Sequence, residues 1–185
     1  MDECKLIRQM KSGDHSSFNQ IYEKYHVPIF RSALLICGNR EDAEDVLQDT
    51  FVTCWLCIRQ LRKEESFRYW IFRIMTQVAR KRAKERSRQL PDEDIVNRID
   101  QIAVSRSMEA ADEYERTADK TVMEAALSAL DEASREVIVL YYYEEMSVRE
   151  LAKTLGILEG TVKSRLYFAR RKLKKILQEG GHLEK

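Results

Sequence analysis

The residues of this chain best equipped for chemistry are cations, and the chemistry they suit is the binding of phosphate. Between Leu158 and Gln178, seven basic residues (Lys163, Arg165, Arg170, Arg171, Lys172, Lys174 and Lys175) face one acid, Glu159. Between Arg59 and Arg88, eleven Lys and Arg face Glu64, Glu65 and Glu85. Patches of this kind attract nucleic acid by displacing condensed counterions. The formal net charge of the 185-residue chain is only +1, which conceals them. Nine acids against three arginines between Asp92 and Asp119 supply the cancelling charge. Two basic modules therefore flank an acidic connector.

Other reactive side chains point to little. Cys54 and Cys57 form a C-x-x-C in "TCWLCI", but no second pair accompanies them, and Cys4 and Cys37 lie elsewhere. Four cysteines are too few for a disulfide framework at this length, and a lone pair of this kind reads as buried packing. His15, His26 and His182 are scattered rather than set at ligand spacing, so no metal and no cofactor is expected. There is no phosphate-binding Walker loop, nucleophile elbow or paired His/Glu motif, so no catalytic residue is assigned and the chain reads as a non-enzyme.

The elements that must carry the cations are helices. Only 6 Gly and 2 Pro interrupt a chain whose charged fraction is 34%, a composition that favours an all-α protein. "SSFNQIYEKYHVPIFRSALLICG" spaces Phe18, Ile21, Tyr22, Tyr25, Ile29 and Leu34 at helical intervals, with Gly38 as a stop and Pro28 as a kink or break. In "NREDAEDVLQDTFVTCWLCIRQL", Asn39 is a candidate N-cap. Ala43, Leu47, Phe51, Cys54 and Ile58 share one face there, and Asp42, Asp45 and Asp49 share another. A third helix, "SFRYWIFRIMTQVARKRAKERSR", begins aromatic and ends basic, with Ser66 as its candidate cap. Trp70 is expected in the core, and the basic run from Arg80 to Arg88 is expected to face nucleic acid.

Past the acidic stretch, Val122, Ala126, Leu127 and Leu130 mark one helix, and Val137, Ile138, Leu140 and Tyr141 a second. Ser147 and Glu150 have capping-box spacing, Gly156 supplies a tight turn, and Val162, Leu166, Ala169, Leu173 and Leu177 recur along a longer helix. A short helix, a Gly turn and a basic second helix form the helix-turn-helix pattern. Residues near the start of the second helix reach base edges and later cations meet phosphates. Lys163, Ser164 and Tyr167 lie away from the buried side, with Thr161 beside them, while Arg165, Arg170 and Arg171 suit backbone contact.

Three of these stretches, in this order, resemble the bacterial sigma factors. "REDAEDVLQDTFVTCW" resembles their "DAEDLVQETF"-like helix, and "FRYWIFRIMTQVARKRAKERSR" the tract that follows it. "LSALDEASREVIVLYYYEEMSVRELAKTLGILEGTVKSRLYFARRKLKKIL" is similar to their C-terminal DNA-reading domain. The short connector matches the small extracytoplasmic-function (ECF) group of the sigma-70 family.

The resemblance implies two small helical domains. Residues 1–90 would be region 2, 91–119 an acidic flexible linker, and 120–180 region 4 with its helix-turn-helix. It implies an initiation subunit that binds core RNA polymerase and promoter DNA and is controlled by an anti-sigma factor. Asp45, Gln48 and Asp49 would dock on the coiled coil of the large polymerase subunit. Phe67, Tyr69, Arg73, Gln77, Arg80, Lys81 and Lys84 would capture the unpaired −10 element, with aromatics for stacking and cations for backbone. Thr161, Lys163, Ser164, Arg165, Tyr167, Arg170 and Arg171 would read the −35 element.

This chain departs from the family at four positions. Gln77 stands where Asn is frequent, and Lys81 where an acid is common. Leu158 replaces the usual Ser or Pro before the recognition helix, removing a cap worth about 0.5–2 kcal/mol. Phe168 stands where Arg is frequent and is a candidate for packing rather than DNA contact. With no apolar run of membrane-spanning length and no signal-peptide core, the chain reads as cytoplasmic. Two rivals remain: a free-standing helix-turn-helix regulator, which would have no use for the aromatic-then-basic tract, and a thiol-redox protein using Cys54 and Cys57.

Overall fold

Helix-start chemistry written into the sequence sets the element boundaries. A computed structural model describes residues 2–89 and 118–179, all of whose regular elements are helical. Asp2 caps α1 (Glu3–Lys11), and the Asp14 carboxylate accepts from the Ser16 and Ser17 N–H groups to start α2 (His15–Cys37). Gly38 ends α2 at φ 77°, a left-handed conformation open to glycine at no steric cost. Asn39 caps α3 (Arg40–Cys57) by accepting from the Asp42 N–H at 2.8 Å. Helix α4 (Phe67–Gln89) follows two short 3-10 turns. The second half holds α5 (Ala118–Ser128), α6 (Glu132–Tyr142), α7 (Val148–Leu155) and α8 (Glu159–Glu179). The acidic stretch expected as a linker lies outside the described residues, except that Ala118 and Asp119 already belong to α5.

Of the kink or break read at Pro28 the break does not occur, and the reading of Ser66 is corrected. Helix α2 runs through Pro28 without a break. Proline removes one backbone N–H, but Ile21, Tyr25, Ile29 and Ala33 on both sides of it are buried in one core, which keeps the element continuous. Ser66 is not the cap of α4. It belongs to the 3-10 turn Glu64–Ser66, and its N–H, not its hydroxyl, bonds the Lys63 carbonyl at 3.1 Å.

Helices α1 to α4 enclose Ile7, Met10, Ile21, Ile29, Val46, Phe51, Phe67, Ile71, Phe72 and Met75. The second half centres on Leu127, Val137, Leu140, Met146, Leu151, Val162 and Leu166. The two halves also pack on each other, α2 against α5 and α6, and α4 against α7. No helix among the described residues is long and apolar enough to cross a membrane.

Candidate nucleic-acid interface

The helix-turn-helix is built as its residues dictate. Ser147 accepts from the Glu150 N–H, and the Glu150 carboxylate accepts from the Ser147 N–H at 2.8 Å, a complete capping box. Gly156 turns the chain at φ 68°, and its N–H bonds the Ala152 carbonyl. Helix α8 then buries Val162, Leu166, Ala169 and Leu173. Lys163, Ser164, Tyr167, Arg170 and Arg171 are consequently exposed, with Thr161 and Arg165 half-buried. The Arg170 guanidinium lies 5.0 Å from the Tyr141 ring centre and 5.5 Å from that of Tyr142. This stacking holds a planar cation beside the helix.

Leu158 donates no side-chain cap; only its carbonyl accepts, from the Val162 N–H at 3.1 Å, and its side chain is 78% exposed. Phe168 is a correction. It does not pack into the core but stands 62% exposed, edge-on to Tyr167 at 5.3 Å. The heptad-like burial of α8 selects Leu166, Ala169 and Leu173 and leaves position 168 outside.

Along α4, burial of Ile71, Phe72, Ile74, Met75 and Ala79 turns Arg73, Gln77, Lys81 and Lys84 outward as an exposed stripe at helical spacing. Phe67 is corrected: it is fully buried, edge-on to Tyr25 and 6.0 Å from Trp70, so it is core rather than a stacking surface. Trp70 is half-buried against it. The side chain of Arg88 lies outside the described residues.

Arg80 and Tyr69, both candidates on α4, are engaged by acids of the second half. Arg80 makes a two-pronged pair with Glu136, Nε to Oε1 at 2.6 Å and Nη2 to Oε2 at 2.5 Å. The Tyr69 hydroxyl donates to Glu150, the same acid that closes the capping box. The acidic stripe of α3 is engaged as well. Arg82 bridges Asp45 at 2.9 Å and Asp49 at 3.3 Å, Arg86 pairs with Asp42 at 2.7 Å, and Gln48 is exposed between them. Part of the basic tract therefore faces its own protein's acids.

Sequence reasoning missed Glu136, Glu144, Arg68 and Arg135. Glu136 is fully buried in α6, and burial pushes its carboxyl up while Arg80 opposes that shift. Burial likewise raises Glu144, whose carboxylate accepts from the Ser32 hydroxyl at 2.9 Å and forms an ion pair with Arg68 at 3.6 Å. The available signal was an acid set inside the apolar run "REVIVLYYY". A lone charge there requires a partner.

Of the C-x-x-C pair, Cys54 packs in the core and Cys57 is half-buried. Cys54 is fully buried, and burial pushes its thiol to about 12. Trp55 stacks on His15 at 4.6 Å and meets Phe18 edge-on at 5.2 Å. All four cysteines are reduced, and among the described residues no His, Cys, Asp or Glu cluster could hold a metal.

Residues 21–89 match the family of sigma-70 region 2, and residues 121–173 match that of sigma-70 region 4. ECF RNA polymerase sigma factor SigL of Mycobacterium tuberculosis is 33% identical over 162 residues, covering 87% of this chain and 89% of its own length. The chain belongs to the ECF RNA polymerase sigma factors. ECF sigma factor SigW of Bacillus subtilis is 27% identical over 181 residues, covering 95% of this chain and 96% of its own. The solved structure of CnrH in complex with the cytosolic domain of CnrY shares the fold, with TM-score 0.69 and 28% identity, covering 96% of this chain and 97% of that one. Like other sigma factors, this ECF factor binds core RNA polymerase and directs transcription initiation at promoters. A free-standing regulator is thereby set aside.

Proposed function

We propose that residues 1–90 of this ECF factor form the core-docking and −10-capturing half, and residues 120–180 the −35-reading half. The observation that supports this is the presence, in one chain, of two separate exposed cation-bearing helices, α4 and α8. On α4, Arg73, Gln77, Lys81 and Lys84 line the path of the unpaired strand, with Tyr69 and Arg80 completing it; Phe67 shapes the helix from beneath. On α8, Thr161, Lys163, Ser164 and Tyr167 reach base edges, and Arg165, Arg170 and Arg171 hold the backbone. Asp45, Gln48 and Asp49 form the polymerase-docking stripe.

The protein acts in the cytoplasm as a polymerase subunit without chemistry of its own. An anti-sigma partner restrains it, a reading supported by CnrH having been solved with the cytosolic domain of CnrY. The decisive experiment is transcription by core polymerase plus this protein on genomic DNA, with start sites mapped. Transcripts from a defined promoter set, lost on substituting Arg73 and Lys81 together, are expected. Start sites that do not depend on the added protein would overturn the proposal.

A further inference from the structure

Phe168 does nothing for the core. Burial along α8 selects Val162, Leu166, Ala169 and Leu173, and the Phe168 ring stands 62% exposed on another face. Tyr167, 61% exposed, meets it edge-on, with ring centres 5.3 Å apart. Single exposed apolar residues are ordinary on a protein surface. What distinguishes this ring is its place. Phe168 lies one turn beyond Ser164 and one turn before Arg171 and Lys172, so it interrupts an exposed polar stripe of the helix. With Arg171, Lys172, Lys174, Lys175 and Gln178 it borders a shallow surface hollow. An aromatic ring set beside four cations fits a polyanion that carries an apolar group.

Duplex DNA is such a partner, and its major groove exposes one apolar group, the C5 methyl of thymine. We propose that Phe168 is a specificity-determining residue of the −35 contact and reads a thymine methyl by apolar contact. The proposal rests on the assignment of α8 to −35 reading.

The length of the helix agrees. At 1.5 Å per residue, Phe168 lies roughly 13 Å from Glu159, comparable with the ~12 Å width of the groove. Lys174 and Lys175 lie roughly 22–24 Å along, where the phosphates that border the groove take over. The neighbour one turn earlier, Ser164, directs its hydroxyl hydrogen to the Thr161 carbonyl at 3.0 Å. It therefore offers bases an acceptor but no donor, and the ring beside it offers neither. This part of the helix discriminates by shape. An arginine at 168 would present a fork of donors, the pairing that suits guanine O6 and N7. Phenylalanine exchanges that guanine preference for a thymine preference, and the position keeps its reading role.

The test uses holoenzyme on a promoter fragment whose start site has been mapped. Each thymine of the −35 element, on either strand, is replaced in turn by deoxyuridine, which removes the methyl and keeps every hydrogen-bonding group. Wild type is expected to lose about three- to ten-fold in affinity at one position, the scale of one buried methyl contact. Phe168→Ala is expected to bind the unaltered promoter more weakly by a similar factor. It should show no further loss at that deoxyuridine, the coupling expected of groups in contact. Phe168→Arg is expected to favour guanine at that position. Because the ring is exposed, both variants should keep the wild-type thermal midpoint.

A scan in which no deoxyuridine weakens wild type, or a methyl dependence that survives in Phe168→Ala, overturns the proposal. If Lys163→Ala still alters the −35 preference in that case, α8 remains the reader and only the role of Phe168 falls. If neither substitution alters the preference, the assignment of α8 falls with it. Weaker assembly of Phe168→Ala with core polymerase, at unchanged promoter affinity of the assembled holoenzyme, places the ring against protein and also overturns the proposal.

Discussion

Arg135 commits its whole guanidinium to backbone carbonyls. Nε donates to Leu127 at 2.9 Å, Nη2 to Ser128 at 2.8 Å and Leu130 at 2.9 Å, and Nη1 to Ile36 at 2.8 Å. Leu127 and Ser128 end α5, where carbonyls lack partners within the helix. One side chain thus closes the end of α5 and ties it to the end of α2. Arg135→Met is expected to lose about 2–4 kcal/mol of stability, since several bonds to a charged donor disappear together. Arg135→Lys should recover less than half, because an ammonium cannot reproduce the planar fork. Urea unfolding midpoints decide it, and a midpoint within error of wild type for the Met variant would refute the account. Glu150 illustrates the same dependence in a titration. The Tyr69 hydroxyl first, then the Ser147 hydroxyl and N–H, hold its carboxyl down to about 2. A folded value below the ordinary ~4.3 means that its contribution is present above that pH and is lost as pH falls toward 2. Tyr69→Phe should move the Glu150 titration upward in carboxyl carbon NMR. If the titration stays in place, the phenol is not the main cause.

Among the elements, the turn into α8 offers a cleaner experiment than any residue buried inside it. Leu158 holds the N-cap position but supplies only its carbonyl, and it gives up no core contact while 78% exposed. Leu158→Ser should therefore stabilise the fold by about 0.5–2 kcal/mol, read as a raised thermal midpoint. A lowered midpoint would show that the leucine has a packing role in solution. The same contrast explains what was legible in the sequence. Asn39, Gly38, Gly156 and the Ser147–Glu150 box act within a few residues of themselves, so spacing alone revealed them. Arg80 with Glu136 and Arg82 with Asp49 lie 56 and 33 residues apart, and no local pattern couples them. Phe67 and Phe168 carry identical side chains with opposite fates, one fully buried and one 62% exposed. Helical phase, not residue type, separates them, and at the first turn of α4 that phase depended on a 3-10 turn the sequence did not announce. Pro28 failed as a breaker because a shared core on both sides outweighed one missing N–H.

At the scale of the molecule, charge is divided into cations available to DNA and cations held by the protein's own acids. Arg82 and Arg86 belong to the second group, bound to Asp45, Asp49 and Asp42 across the α3–α4 interface. Arg171 is exposed on α8, and Arg170 rests on tyrosine faces with its charge still outward. Salt dependence separates the groups, because each phosphate neutralised contributes about 0.9 to the slope of log affinity against log salt. With holoenzyme on a promoter fragment, Arg170→Gln and Arg171→Gln should each flatten the slope by roughly that amount and weaken binding to all sequences alike. Arg82→Gln should leave the slope unchanged while lowering thermal stability through the freed Asp45 and Asp49. Thr161 and Lys163 substitutions should instead alter which −35 sequence is preferred, with a cost of about 1–3 kcal/mol at the base they contact. A slope that falls as far in Arg82→Gln as in Arg171→Gln would mean that polymerase binding dissolves the α3–α4 ion pairs. The acidic stripe would then be given to the polymerase and Arg82 to the promoter, one charge exchange serving both contacts.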